Sequence, residues 1–539
     1  MADAALKSAG GGAQQRRRAL GAFGVAVVGF ASIAGGPYGI EAAVGAAGAL
    51  PTLLGLALTA LVWSAPQALV TAELSCAFPS NAGYVGWVVR GLGPAAGFVN
   101  AWAMIAAQSL NIPLYPVLIA AYMQQLAPAL SDGALWAIKL ACLAFAVALN
   151  IVGVQAVERA SLVMVLLVQT PFVLMPAVAA AKGLRFDWGA LARSLGDGAG
   201  SDGGGGAAAL LAGGQFSVFA SVLCWNMQGW VTLGSLAAEV RSARTDYPLG
   251  LLAAVLLVAA NYLYPVALCV ALAPDFSQWD TGFFVTLAQS IAPWLGTYAL
   301  VAAALSSLSN LVPQLTTSAR AMCAAARGGI VPLAVLGRAR VTRFRTPVPA
   351  TLAVALVSGV LMAFSFDVLV VIQLLFSGVG LALQFAAFLR LKHVEPDLPR
   401  PFAVPGGVLG AWAVALPFFG LLGLVAFSAV AETPDLAGVA AGLTAAMVVG
   451  GLAWQRWGRG AHAVELADED EGDEGDEDGE GGEGGPSGGG YSETAAAADD
   501  ASAPLRSRGG GGGVGGFFAA LWRGPEGATP LLRPEAAER

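Results

Sequence analysis

Long apolar stretches, separated by short polar segments, recur along most of the chain. Twelve of them approach or exceed the roughly 20 residues that an α-helix needs to cross a bilayer. A chain with this many spans satisfies its backbone hydrogen bonds with helices rather than with barrel strands. The pattern therefore predicts an all-α polytopic membrane protein with twelve transmembrane helices. They lie near residues 20–47, 51–74, 94–124, 134–154, 159–181, 214–239, 248–273, 291–323, 347–366, 368–391, 407–430 and 435–456.

Basic residues are distributed unevenly between the two sides of the predicted membrane. With the N-terminus in the cytoplasm, the twelve spans place 19 Lys and Arg residues on or near the cytoplasmic side and 4 on the other. Cytoplasmic loops of membrane proteins carry an excess of positive charge. We therefore expect both termini in the cytoplasm, and the membrane to be the plasma membrane or an endomembrane.

Composition and charge divide the chain into three parts. Only 12% of the 539 residues are charged, against about 25% in soluble domains. We expect a cytoplasmic N-terminal segment over 1–19 and a twelve-helix domain over 20–456, with a Gly-rich extracellular insertion at about 196–206. Residues 457–539 are typical of a disordered acidic cytoplasmic tail. The net charge is +6 over residues 1–460 and −13 over residues 461–539.

Several functional classes are disfavoured by what the sequence lacks. Its basic residues form no dense, extended patch of the kind that binds nucleic acid. Two histidines and five isolated cysteines provide no metal-binding motif, and no catalytic triad or phosphate-binding loop is present. We expect neither an enzyme nor a bound metal or cofactor. The expected partners are the lipid bilayer and a small molecule.

Two spans contain helix-breaking or amide residues where a membrane helix is normally apolar. The first span carries Gly35-Gly36-Pro37-Tyr38-Gly39, and the sixth carries Trp225-Asn226-Met227-Gln228-Gly229-Trp230. Broken backbone at membrane depth is tolerated only beside protein or a water-filled cavity. These spans begin two consecutive groups of five, which is the arrangement of an inverted-repeat transporter with a mid-membrane site. The alternative is a pair of kinks that serve close helix packing.

Two acidic residues within spans are candidates for function. Glu41 lies just beyond the first break, where an acid is expected to serve as a substrate counter-ion or as the carrier of a coupling proton. Alternatively, Glu41 faces an outer vestibule and only solvates it. Glu73, near the cytoplasmic end of the second span, is expected to form a gate or a packing ion pair with a nearby arginine.

Several motifs together resemble a known family. The motifs Gly35 to Glu41, Trp63 to Leu74, Phe78 to Val85 and Arg400 to Pro405 follow one another in the order seen in plant-type polyamine uptake transporters. These form the polyamine:proton symporter branch of the amino acid–polyamine–organocation superfamily. The resemblance implies a LeuT-type five-plus-five inverted repeat with helices 1 and 6 broken, two additional helices, and proton-coupled symport by alternating access.

The resemblance also leads us to expect acids at positions that are neutral in this chain. A polyamine carries several ammonium groups, and each needs a partner when it is buried, so the neutral residues favour an amino acid. Pro37 argues the other way, because it removes one amide donor that would hold an amino acid's carboxylate. The neutral positions are Asn111, Val231, Gln314, Gln373 and Gln384.

Two hypotheses for the substrate therefore stay open. In the first, the protein carries polyamines, amino acids or both; in the second, it carries a neutral or monocationic amino acid and no polyamine. A third hypothesis is a non-transporting membrane receptor or scaffold whose acidic tail recruits partners. Aromatic residues near the breaks could stack on a methylene chain or face an ammonium group, although they could also serve packing. The candidate substrate site comprises Gly35, Gly36, Pro37, Tyr38, Gly39, Glu41, Asn111, Tyr115, Trp225, Asn226, Gln228 and Trp230. Ser306 and Ser307 form a possible cation site, with helix packing as the alternative.

Overall fold

The computed structural model describes residues 20–78, 83–152, 155–193, 216–327, 330–331, 335–337 and 347–456. Across these ranges the regular structure is helical, and an isolated parallel bridge joins Leu20 to Val240. Three sequence predictions fall outside the described residues: the N-terminal segment 1–19, the insertion at 196–206 and the tail from residue 457.

Each of the twelve predicted apolar stretches contains one or more helices. Up to residue 193 they are α1 (Ala22–Ile33), α2 (Glu41–Ala47), α3 (Ala49–Ala77), α4 (Gly83–Leu92), α5 (Pro94–Leu126), α6 (Asp132–Val152), α7 (Gln155–Ala181) and α8 (Ala190–Arg193). A π-helical turn interrupts α3 over Ala60–Ser64. From residue 216 they are α9 (Phe216–Asn226), α10 (Asp246–Leu272), α11 (Phe283–Ile291), α12 (Pro293–Arg327), α13 (Val348–Leu361), α14 (Phe366–Val394), α15 (Gly407–Glu432) and α16 (Pro434–Arg456). Two 3₁₀-helices cover Trp230–Glu239 and Phe276–Gln278.

Among the described residues, eight helices are long and apolar enough to cross a membrane, namely α3, α5, α6, α10, α12, α14, α15 and α16. The predicted all-helical membrane class is thereby confirmed. α1 and α9 fall short of a membrane thickness because each ends at an interruption in mid-span.

Apolar side chains line both the interior and the outer surface of the helix bundle. Most of α5 is buried, and it packs against α12 and α14, whereas α6 and α16 leave most of their apolar surface uncovered. Inside, the Phe418 ring stacks on Trp63 and Phe385, with centroids 4.9 and 3.9 Å apart. Outside, large apolar side chains such as Leu356 and Phe427 are exposed. Apolar surface of this extent is typical of a protein surrounded by lipid.

Candidate functional site

The first predicted span is interrupted over residues 34–40, between α1 and α2. The backbone there takes φ values of 143° at Gly36 and 88° at Gly39, which are rare for residues with a side chain. Gly35 also allows close approach to α12, because a Cβ atom on it would lie 1.7 Å from Asn310 Nδ2. The glycines of this motif are therefore what permits the interruption.

The sixth predicted span is interrupted after Asn226, and the chain resumes as a 3₁₀-helix at Trp230. Gly229 takes a φ of 111° at this point. Ser64 Oγ donates a 2.8 Å hydrogen bond to the Met227 carbonyl. Because Ser64 closes the π-helical turn of α3, that turn holds α3 against the second interruption. Both interruptions lie where the glycine and amide motifs predict them.

A cavity with a volume of about 90 Å³ lies between the two interruptions. Pro37, Gly39, Glu41 and Trp230 are not on its wall. Trp230 is fully buried and donates from Nε1 to the Met227 carbonyl over 2.9 Å, so it packs the second interruption. The predicted site residues that line the cavity are Gly35, Gly36, Tyr38, Asn111, Tyr115, Trp225, Asn226, Gln228, Ser306 and Ser307.

Hydrogen bonds connect several of these wall residues across helices. Trp225 Nε1 donates to Asn111 Oδ1 over 2.8 Å, and the Trp225 and Tyr115 rings lie 6.0 Å apart. Gln228 Nε2 donates to Gln373 Oε1 over 2.9 Å. These bonds join α9 to α5 and the second interruption to α14. They fix amide groups around the cavity.

The cavity wall has no Asp, Glu, Lys or Arg side chain within the described ranges. Four of the five neutral positions at which the resemblance led us to expect acids lie on this wall. The fifth, Gln384, is buried in α14 away from the cavity. The four are Asn111, Val231, Gln314 and Gln373.

Glu41 is completely buried and sits one layer behind the wall. Its Oε2 accepts the Gly39 amide proton over 2.7 Å, and its Oε1 accepts the Tyr122 hydroxyl over 2.8 Å. Tyr38, which does line the cavity, packs its ring against Tyr122 with centroids 5.7 Å apart. In this conformation the carboxylate has no contact with solvent, which favours a counter-ion or proton carrier over a group that only solvates an outer vestibule.

Ser306 and Ser307 are both on the cavity wall, in α12. The Ser306 carbonyl accepts hydrogen bonds from Ser309 Oγ and Asn310 Nδ2. A Cβ atom on Gly36 would lie 2.9 Å from Ser306 Oγ. The hydroxyl therefore lies directly beside the first interruption, and its position suits either packing or a ligand.

Glu73 forms a buried ion-pair cluster with two cations rather than one. Its Oε1 lies 2.9 Å from both Lys392 Nζ and Arg400 Nε, and all three side chains are at most 8% exposed. Its Oε2 accepts the Val404 amide proton over 2.6 Å. The cluster ties α3 to the end of α14 and to the segment after it.

Sequence reasoning missed several wall residues. These residues are single amides or hydroxyls inside otherwise apolar helices, and a buried amide in a membrane helix was the signal that could have identified them. They are Gln67, Gln108, Tyr262, Asn310 and Ser377. A second cavity, of about 330 Å³, was also missed; it lies against α2 and α9 and includes Asp280 and Asp367.

Comparison with known proteins identifies the family. A model of the amino acid permease family matches residues 20–453. The chain belongs to the amino acid permease family. Polyamine transporter PUT1 of Oryza sativa subsp. japonica is 32% identical over 401 residues, which cover 74% of this permease and 71% of the relative. These matches confirm the resemblance drawn from its motifs.

Two further relatives are similar to this permease over most of their length. Polyamine transporter RMV1 of Arabidopsis thaliana is 30% identical, over 74% of this chain and 78% of its own. Branched-chain amino acid permease BcaP of Bacillus subtilis is 24% identical, over 78% and 90% respectively. The permease is thus an integral membrane transporter and not an enzyme.

The close packing at Gly36 predicts that a side chain there stops transport. A Cβ atom would lie 2.4 Å from Val168 Cγ1, and the φ of 143° adds backbone strain of about 1–3 kcal/mol. Gly36→Val should therefore lower the uptake rate by about tenfold or more per mole of inserted protein. The matched control is Gly420→Val on α15, where nothing lies within 4 Å of the added Cβ. Full activity of Gly36→Val in proteoliposomes would contradict the role of the interruption.

The Glu73 cluster predicts a large loss of stability when its acid is removed. Glu73→Gln leaves Lys392 and Arg400 buried without a counter-charge, which should cost about 3–5 kcal/mol. Glu395→Gln is the matched control, since it removes only the exposed pair with Arg90 and should cost less than about 1 kcal/mol. Thermal unfolding of the purified variants in detergent measures both. Equal midpoints for the two variants would contradict the cluster's role.

Proposed function

We propose that this permease is a secondary active transporter that carries an amino acid or a polyamine inward with a proton, by alternating access. The observation that supports this most strongly is the cavity at the junction of two interrupted helices. Interrupted helices around a central cavity are the usual substrate site of secondary transporters. Its relatives are named as polyamine transporters and as an amino acid permease, which is why both substrate classes enter the proposal.

The proposed architecture is twelve spans in a LeuT-type five-plus-five inverted repeat with two additional helices. In support, α1 with α2 and α9 with the adjoining 3₁₀-helix are both interrupted near their middle. The bias of basic residues supports cytoplasmic termini. The plasma membrane or an endomembrane is the proposed location.

We propose Glu41 as the carrier of the coupling proton. As a carboxylate it accepts hydrogen bonds from the Gly39 amide and the Tyr122 hydroxyl. Protonation removes the charge that strengthens both bonds, and one of these bonds lies inside the first interruption. Loading a proton would therefore change the interruption itself. Ser306 and Ser307 are the alternative site for a coupling cation.

We propose that the Glu73 cluster acts as a gate on the cytoplasmic side. It fastens α3 to the segment after α14 through one carboxylate that bonds Lys392, Arg400 and the Val404 amide. A single acid that holds several groups can release them together, because each bond depends on the same charge. Opening of this cluster would let the end of α14 move relative to α3.

A second candidate function is a neutral or monocationic amino-acid permease without polyamine transport. The described residues of the cavity wall carry no charged side chain, which favours this function, because every ammonium group of a polyamine would need a partner there. The hypothesis of a non-transporting receptor or scaffold loses support from the family membership. The acidic tail that motivated it lies outside the described residues.

The proposed role of Glu41 predicts that its neutral variant uncouples transport. Glu41→Gln keeps the size and an acceptor oxygen but cannot carry a proton, so uptake driven by a pH gradient should fall about tenfold or more. Exchange of substrate across the membrane without a gradient should persist. The matched control is Asp435→Asn, an exposed acid in the first turn of α16.

Proteoliposomes with an imposed pH gradient provide the measurement. Uptake by Glu41→Gln with the wild-type rate and the wild-type dependence on the gradient would contradict the assignment. Loss of both uptake and exchange would also contradict it, because it would give Glu41 a role in binding or folding instead.

A further inference from the structure

The polar surface of the central cavity consists of amides and hydroxyls. No charged side chain lines it in the part of the chain that the structure describes. An ammonium group is costly to bury without an opposing charge. The cavity therefore suits a molecule without net charge. Its eight carboxamides belong to Gln67, Gln108, Asn111, Asn226, Gln228, Asn310, Gln314 and Gln373.

Gln67 stands apart from the other amides of the wall. It is completely buried, and neither Nε2 nor Oε1 has a hydrogen-bond partner among the described residues. By contrast, Gln228 and Gln373 bond each other. Buried amide groups nearly always have partners. The amide of Gln384 also has none among the described residues, but of the two only Gln67 lies on a cavity wall, where a bound ligand can supply them.

The π-helical turn of α3 sets which residues of this helix lie on the cavity wall, Gln67 among them. The turn over Ala60–Ser64 adds a residue to the helical repeat and thereby rotates the remainder of α3 about its axis. Ser64 then bonds the Met227 carbonyl at the second interruption. Gln67 lies one turn further along α3, on the wall beside that interruption. π-Turns of this kind are frequent at functional sites.

We infer that Gln67 is a specificity-determining residue that selects a zwitterionic amino acid with an uncharged, hydrogen-bonding side chain. A carboxamide offers one donor group and one acceptor, so it complements a substrate carboxamide or hydroxyl, as in glutamine or serine. Polyamines and lysine are excluded because the described part of the wall has no charged side chain to pair with theirs. This inference rests on the proposed transport function and narrows its substrate to one class.

The first arm of the test compares substrates on the wild-type permease. Purified full-length protein in proteoliposomes is given radiolabelled glutamine, leucine, lysine or putrescine across a pH gradient. Glutamine uptake should exceed lysine and putrescine uptake by about tenfold or more. Putrescine or lysine uptake at a rate close to that of glutamine would overturn the inference and leave the transport function standing. No uptake of any of the four, by protein that is folded and inserted, would contradict the transport function itself.

The second arm tests Gln67 directly with Gln67→Leu. Leucine has a similar size and no hydrogen-bonding group, so the ratio of glutamine to leucine uptake should fall about tenfold or more. Because Gln67 has no bond to lose before substrate binds, the ligand-free variant should unfold at the wild-type temperature or above it. Gln124→Leu, at an exposed position on α5, is the matched control. An unchanged uptake ratio, or a clear loss of ligand-free stability, would overturn the inference.

The third arm restores a charge to the wall with Gln373→Glu. The substitution keeps the size of the side chain and places a carboxylate on the cavity. Lysine or putrescine should then stabilise the variant in thermal unfolding and gain uptake relative to glutamine. Gln124→Glu is the matched control. A Gln373→Glu variant that responds to lysine and putrescine as Gln124→Glu does would overturn the proposed exclusion by charge.

Discussion

Peptide groups at membrane depth must find hydrogen-bond partners inside the protein, because lipid offers none. This constraint bears most heavily on residues 34–40 and on the stretch between Asn226 and Trp230, where helical hydrogen bonding stops. Both stretches are enclosed by longer helices, and side chains such as Tyr122 and Ser64 bond their backbone groups. The central cavity is the space that this enclosure leaves.

Buried charged groups must likewise find their partners inside the protein. Glu41 and Glu73 are both buried, and each is matched to specific partners: Glu41 to an amide and a hydroxyl, and Glu73 to two cations and an amide. Neither carboxylate lies on the cavity wall. Ionic interactions thus serve the framework and, in our proposal, coupling and gating. In our proposal, the substrate is recognised by uncharged groups, and the strength of their hydrogen bonds depends on specific partners rather than on net charge.

Much of this site could be predicted from the sequence because its signals are local. Glycine, proline and amide residues inside an apolar span stand out, and the interruptions lie where Gly36 and Gly229 predicted them. An arginine partner for Glu73 was expected in general terms. Its actual partners, Lys392 and Arg400, lie more than 300 residues away in the chain, and only the packing of α14 against α3 brings them together.

Gln67 could not be predicted for a different reason. A single glutamine in an apolar helix does not reveal whether that side of the helix lies against a cavity. The rotation that places Gln67 on the wall depends on the π-turn, and the residues Ala60–Ser64 have no sequence signature for such a turn. The position of Glu41 relative to the cavity could also not be predicted from its place in the sequence. It comes directly after the interruption in sequence, but Tyr122 holds it behind the wall instead of on it.

A cryo-electron microscopy structure of the permease with glutamine bound would locate its substrate site most directly. Ligand density is expected between the two interruptions, in contact with α3 and with the amides of α5 and α14. Density confined to the cavity beside Asp280 and Asp367, with none in the central cavity, would contradict this expectation.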